Sequence, residues 1–118
     1  MIFLNLYIIE LCDLVIPDLH SFEKWGDYEG KTGNRYIMQP VMKPLYDGVS
    51  IEQTLINVIN RIVVDDSNKI DSEFYNYLRN KWKEYSPEGE NFENFWNKVV
   101  KDGGIFNKNE SYSISSFN

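Results

Sequence analysis

The chain opens on apolar runs. Residues Phe3 to Ile9 are apolar apart from Asn5, and Leu14-Val15-Ile16 follows after Cys12-Asp13. Short uninterrupted runs of this kind suit strands buried on both faces, as in a parallel sheet. Pro17 closes the second run, because proline has no amide to give to a neighbouring strand. From Asp18 to Arg35 no period is visible. Gly26, Gly30 and Gly33 among alternating charges predict a long loop, the kind of segment in which functional groups collect. Tyr36 to Met42 returns as an extended segment, since Met38-Gln39-Pro40 does not suit a helix interior, and Pro44 to Gly48 predicts a turn.

The rhythm then changes to that of helices. Ser50 with Gln53 three residues on forms a capping box, and Ile51, Leu55, Val58, Ile59 and Ile62 recur at helical period. This helix is expected to stop near Asp65-Asp66. A second is predicted from Asp71, with Phe74, Tyr77, Leu78 and Trp82 on its apolar face and Ser86-Pro87 as its end. A third is predicted from about Asn91, with Phe92, Phe95, Trp96, Val99 and Val100 on one side and Gly103 as the residue that reverses the chain. No internal repeat is visible. The expected class is α/β: a partial parallel-type sheet followed by about three helices. The Ser/Asn-rich stretch from 107 to 118 is expected to be a polar tail, frayed or loosely docked.

Composition narrows the functional classes. At 118 residues the chain fits one domain, and 42% hydrophobic with 15% aromatic residues is too rich for a disordered segment. The net charge of −6, with Lys and Arg scattered and only Lys81 and Lys83 close together, repels a phosphate backbone, so no nucleic acid is expected as a partner. Cys12 is the only cysteine; it can form no internal disulfide or iron–sulfur cage and reads as a small buried hydrophobe. Met1 to Leu11 has no basic start and no small-residue cleavage site. It is interrupted by Glu10 and falls short of the roughly 20 apolar residues of a membrane span, so neither a signal peptide nor direct membrane insertion is expected.

The densest polar group is Asp18, His20, Glu23, Trp25, Gly26 and Asp27. His20, the only histidine, could serve as an acid–base group beside these carboxylates, or as a metal ligand with Glu23 or Asp27. The plainer alternative is that these side chains hydrogen-bond the loop to itself, as loop backbones require. Gly30-Lys31-Thr32-Gly33 lacks the full phosphate-loop pattern and opens no helix. Asn109-Glu110-Ser111 fits a glycosylation sequon, a pattern frequent by chance. No nucleophile–base pair, metal cage or nucleotide fingerprint is complete.

The run Glu10-Leu11-Cys12-Asp13-Leu14-Val15-Ile16-Pro17-Asp18, followed by His20, Glu23 and Trp25-Gly26-Asp27, resembles the molybdopterin oxidoreductase superfamily. In that superfamily such a strand leads into a loop with an acidic residue, a glycine and a later glutamine, here Gln39. Met38-Gln39-Pro40-Val41-Met42-Lys43-Pro44-Leu45-Tyr46-Asp47 is closer still to the molybdopterin/iron–sulfur large subunit of bacterial alternative complex III, a quinol:cytochrome c oxidoreductase. Phe92-Glu93-Asn94-Phe95-Trp96 and Asp102-Gly103-Gly104 resemble a later segment of the same subunit. The likeness runs from about Glu10 to Gly104. Its failure before Glu10 implies a truncated or frame-shifted start.

The resemblance implies that residues 1–106 are a fragment of a larger α/β domain of the molybdopterin-oxidoreductase type, without catalysis of its own. It implies that His20, Glu23, Asp27 and Gln39 lie on a loop facing the rest of the subunit, as cofactor-side residues, with no metal ligand and no cofactor held within this chain. Molybdopterin or iron–sulfur clusters would belong to the full-length protein, although in alternative complex III the corresponding domain is thought to hold no molybdenum. The implied partner is the remainder of the redox subunit or complex, and the implied location is the outer, periplasmic face of the bacterial inner membrane. Two rivals stand beside this reading: a stand-alone interaction module that kept the fold without redox chemistry, and a small enzyme using His20 with Glu23. A fragment should expose apolar surface where its neighbours belong, and the first sixteen residues are where that is expected.

Overall fold

The structure is a computed structural model and describes residues 9–30 and 33–106. Strand β1 (Gly26–Glu29) pairs antiparallel with β2 (Arg35–Met38), in a register that sets Gly26 against Met38 and Tyr28 against Tyr36. Strand β3 (Gly104–Ile105) pairs antiparallel with the other edge of β2, giving the order β1-β2-β3.

The α/β class therefore stands, but the parallel-type sheet does not. Two strands joined by so short a connection can only run antiparallel, because a parallel pair needs a crossover of a dozen residues or more. The turn is closed by Gly30 N–H donating to the Asn34 carbonyl at 2.8 Å and Gly33 N–H donating to that of Gly30 at 3.1 Å, with Gly33 at φ 75°. The expected strand at Leu14-Val15-Ile16 is absent, and these side chains are exposed. The expected strand from Phe3 to Ile9 falls almost wholly outside the described residues, as does the tail from 107 to 118. Cys12 is exposed and not buried, since no sheet layer forms around it. The predicted order of strands first and helices last also fails, because β3 follows the last helix.

Helix α1 (Ile51–Ile62) begins as expected: the Ser50 hydroxyl accepts from Gln53 N–H at 3.1 Å. It ends at Ile62, followed by a short 3-10 turn at Asp66–Asn68. Helix α2 (Phe74–Lys83) starts three residues later than Asp71, and its own cap residue, Glu73, provides no side-chain hydrogen bond. Gln53 of α1 supplies it instead, accepting from Phe74 N–H at 2.9 Å and donating to the Ser72 carbonyl at 2.7 Å. Helix α3 (Phe92–Asp102) is capped by Asn91, whose side chain accepts from Glu93 N–H at 2.9 Å, and stops at Gly103 with φ 81°.

The core lies between α2, α3 and the inner face of the sheet. Ile37, Leu78, Trp82, Phe95, Trp96 and Val99 form it, with Trp25, Tyr75, Phe92 and Ile105 packed around them. Trp96 is its hub, with ring centres 5.9 Å from Trp25, 6.2 Å from Trp82 and 6.1 Å from Phe92. Leu78 and Trp82 are each only 1% exposed, and burying a large apolar side chain to that extent is worth about 1.5–3 kcal/mol.

Helix α1 sits outside this core, and it sits the wrong way round for an ordinary amphipathic helix. Its inward face carries Gln53, Ile56 and Asn60, spaced at i, i+3 and i+7. Ile56 is the one buried residue of the helix. Asn60 donates to the Ile70 carbonyl at 3.0 Å and accepts from Ile70 N–H at 3.0 Å, so two carboxamides hold the stretch from Ile70 to Phe74. The predicted apolar stripe of Ile51, Leu55, Val58, Ile59 and Ile62 points away and is exposed, Ile62 to 72%.

Candidate functional site

The loop from Asp18 to Lys24 is built on local hydrogen bonds and one ionic clamp. His20 N–H donates to Glu23 Oε2 at 2.9 Å, and Glu23 N–H donates back to the His20 carbonyl at 2.8 Å, which closes a tight turn. Phe22 N–H donates to His20 Nδ1 at 3.2 Å, and the two rings meet edge to face at 5.0 Å. Nδ1 of the imidazole is thus occupied as the acceptor of a backbone amide. The other oxygen of Glu23 accepts from Leu45 N–H at 2.9 Å, while the Phe22 carbonyl accepts from both Val41 and Met42 N–H. These bonds pin the 41–45 stretch against the turn.

Glu23 is thus a brace. Its hydrogen bonds from the Leu45 and His20 amides hold its carboxyl below the usual glutamate range, which is the opposite of what a general acid needs. His20 and Glu23 meet through the His20 backbone amide, and no hydrogen bond links imidazole to carboxylate.

Lys24 is the ionic centre. Its ammonium lies 3.1 Å from Asp18 Oδ2 and 3.2 Å from Glu52 Oε2, tying the loop to the first turn of α1. Asp18 also accepts from Leu19 N–H at 2.8 Å and from Ile51 N–H at 3.1 Å, which places an anion at the positive end of α1. Burial acts to raise the Asp18 carboxyl and to lower the Lys24 ammonium. In both it is outweighed by the bonds within the clamp, so the Asp18 value falls and the Lys24 value rises. Lys24 and Glu52 were not among the sequence candidates. The signal for the lysine was its place in an acidic stretch; nothing local pointed to a residue 28 positions further along.

Of the four cofactor-side candidates, the structure brings His20 and Glu23 into one turn. Asp27 lies on β1, and its Oδ2 accepts from the Trp82 indole N–H at 3.1 Å, a link to the core across 55 residues. Gln39 follows β2 and is exposed. They form no single hydrogen-bonded network. Among the described residues no group of three or more His, Cys, Asp or Glu side chains is placed to hold a metal ion, and no helix is long and apolar enough to cross a membrane. No family model, curated protein or solved structure matches this chain.

Proposed function

We propose that this chain is a non-catalytic segment of a molybdopterin-type oxidoreductase subunit in a respiratory electron-transfer complex, where it packs against the rest of that subunit. The observation that carries the packing role is the inverted helix α1, whose apolar stripe is turned outward while its carboxamides face inward. Isolated domains rarely leave so much contiguous apolar surface on one helix, and such a surface marks a contact with another protein layer. Leu14, Val15 and Ile16, also exposed, add to it. The redox setting rests on the resemblance that runs from about Glu10 to Gly104 and is strongest from Cys12 to Asp47. The reading without independent catalysis is supported at the site, where backbone amides occupy both oxygens of Glu23.

The same inverted helix supports a second reading, a stand-alone interaction module. The two separate on the size of the native polypeptide, detected with an antibody to this chain in extracts of the source cells. A band several times larger than 13.9 kDa supports the oxidoreductase subunit. A band at that mass removes it and leaves the module.

A further inference from the structure

The geometry points to a groove beside β1 that takes the basic side chain of a partner protein, a lysine or arginine laid along aromatic walls with its charged head between carboxylates. The groove runs between the β1–β2 hairpin and the first turns of α1 and α2, with a volume of about 390 Å3. Tyr28, Tyr36 and Met38 come from the outward face of the hairpin, Phe74 from α2, Asp27 from β1 and Glu52 from α1. None of the apolar residues on the outer face of α1 lines it.

Three features select the occupant. The walls are aromatic and open: Tyr28 is 67% exposed and its ring lies 6.1 Å from that of Tyr36, a platform suited to the aliphatic stem and cationic head of Lys or Arg. The charges lining it are two carboxylates and, among the described residues, no cation. Among the described residues the nearby cations are already paired, Lys24 with Glu52 of the groove wall itself and with Asp18. Lys24 alone serves both Asp18 and Glu52, which leaves that trio one negative charge in excess, and Arg35 pairs with Glu29 while covering the Tyr85 ring. Among the described residues the Asp27 carboxylate is met by a neutral indole N–H and by no cation. A chain of net charge −6 strengthens the same preference, and an anionic ligand would meet repulsion throughout. Neutral apolar side chains could fill the walls but would cover the Asp27 carboxylate with no opposite charge beside it.

The test runs on the isolated chain, so its failure leaves the assembly proposal untouched. The probes are N-acetyl-arginine amide and N-acetyl-lysine amide, with N-acetyl-norleucine amide and N-acetyl-glutamate amide as uncharged and anionic controls. Binding is followed by NMR through the Trp82 indole N–H, which reports on Asp27, and through the Tyr28 ring. The expected result is saturable shifts with the two basic probes, weakening with added salt, and none with the controls. Asp27→Asn keeps an oxygen to accept from Trp82 but removes the charge, and should weaken binding about threefold or more, the scale of an exposed ion pair. Tyr28→Ala, at an exposed position with no packing role in the core, should weaken it similarly if the first variant fails to fold. Equal binding of norleucine and arginine probes, no saturable shift with either basic probe, or wild-type binding by Tyr28→Ala would each overturn the proposal.

Discussion

Gly104→Ala tests how β3 is held, and its cost can be worked from contacts. Gly104 has φ 146°, a conformation that side chains rarely adopt, and a Cβ built there would lie 2.0 Å from the carbonyl oxygen of Arg35 on the paired strand. That is far inside the ~3.5 Å at which non-bonded heavy atoms are comfortable. Relief requires β3 to move away from β2 by something on the order of 1 Å, against a packed interior that yields little. The shift would break the bond in which Ile37 N–H donates to the Gly103 carbonyl at 3.0 Å, and loosen Ile105 from the core. Backbone strain of about 1–3 kcal/mol and a lost hydrogen bond of about 1 kcal/mol sum to roughly 2–4 kcal/mol, a large share of the 5–15 kcal/mol typical of a domain. Gly89 provides the control. It also has positive φ, 81°, but a Cβ there would meet nothing within 4 Å, so Gly89→Ala should cost only the conformational penalty of about 1–2 kcal/mol. Urea unfolding followed by circular dichroism measures both. If the two variants lose equal stability, the close approach of β3 to β2 is not what makes Gly104 necessary.

Ser50→Ala should destabilise the chain by about 1 kcal/mol through loss of the bond to Gln53 N–H, measured by the same urea transition; an unchanged midpoint would mean that Asp18, also bonded at that helix end, suffices. Trp82→Phe should cost about 1–3 kcal/mol, from lost indole volume and from leaving Asp27 without its donor, as read from the same urea transition. On acidification, the Asp18 and Glu23 carboxyls, both held below their ordinary values, contribute stability that is present above the ordinary carboxylate range and lost as pH falls through their depressed values. Melting temperature should therefore drop below about pH 4, and Asp18→Asn should flatten that drop; identical acid profiles for variant and wild type would contradict the assigned bonds. Ile59→Glu, on the outer face of α1, should leave the isolated chain within about 0.5 kcal/mol of its stability while lowering the melting temperature of the full-length polypeptide in which that face is packed.

The parts of the fold legible in the sequence are those fixed by neighbours close in the chain. Ser50 with Gln53, and Asn91 before an apolar stripe ending at Gly103, mark α1 and α3 because caps and periods are local. Helix α2 begins three residues beyond Asp71 because its cap comes from Gln53 on another helix, which no local pattern announces. The apolar run at Leu14 to Ile16 signals a need for burial but cannot name what buries it, and no strand forms there among the described residues. β3, two residues long, has no pattern to read, and is set by the one glycine that fits against Arg35. At the site, the turn of His20 and Glu23 was legible as a self-bonded loop, whereas the clamp from Lys24 to Glu52 and the bond from Trp82 to Asp27 join distant residues. Likewise the stripe on α1 was readable as apolar, but its direction was not, since periodicity does not say which face the neighbours take.

That direction gives α1 two attachments with different thermal character. Toward its own chain it is held by Gln53, Asn60 and a single isoleucine, so pulling it away exposes polar and apolar area whose heat-capacity contributions oppose one another. Any attachment through Ile51, Leu55, Val58, Ile59 and Ile62 is driven by apolar dehydration, which weakens on cooling. Low temperature should thus loosen the helix from an outside neighbour well before it loosens from its own fold, so that the contact parts in the cold while the fold around it stays intact.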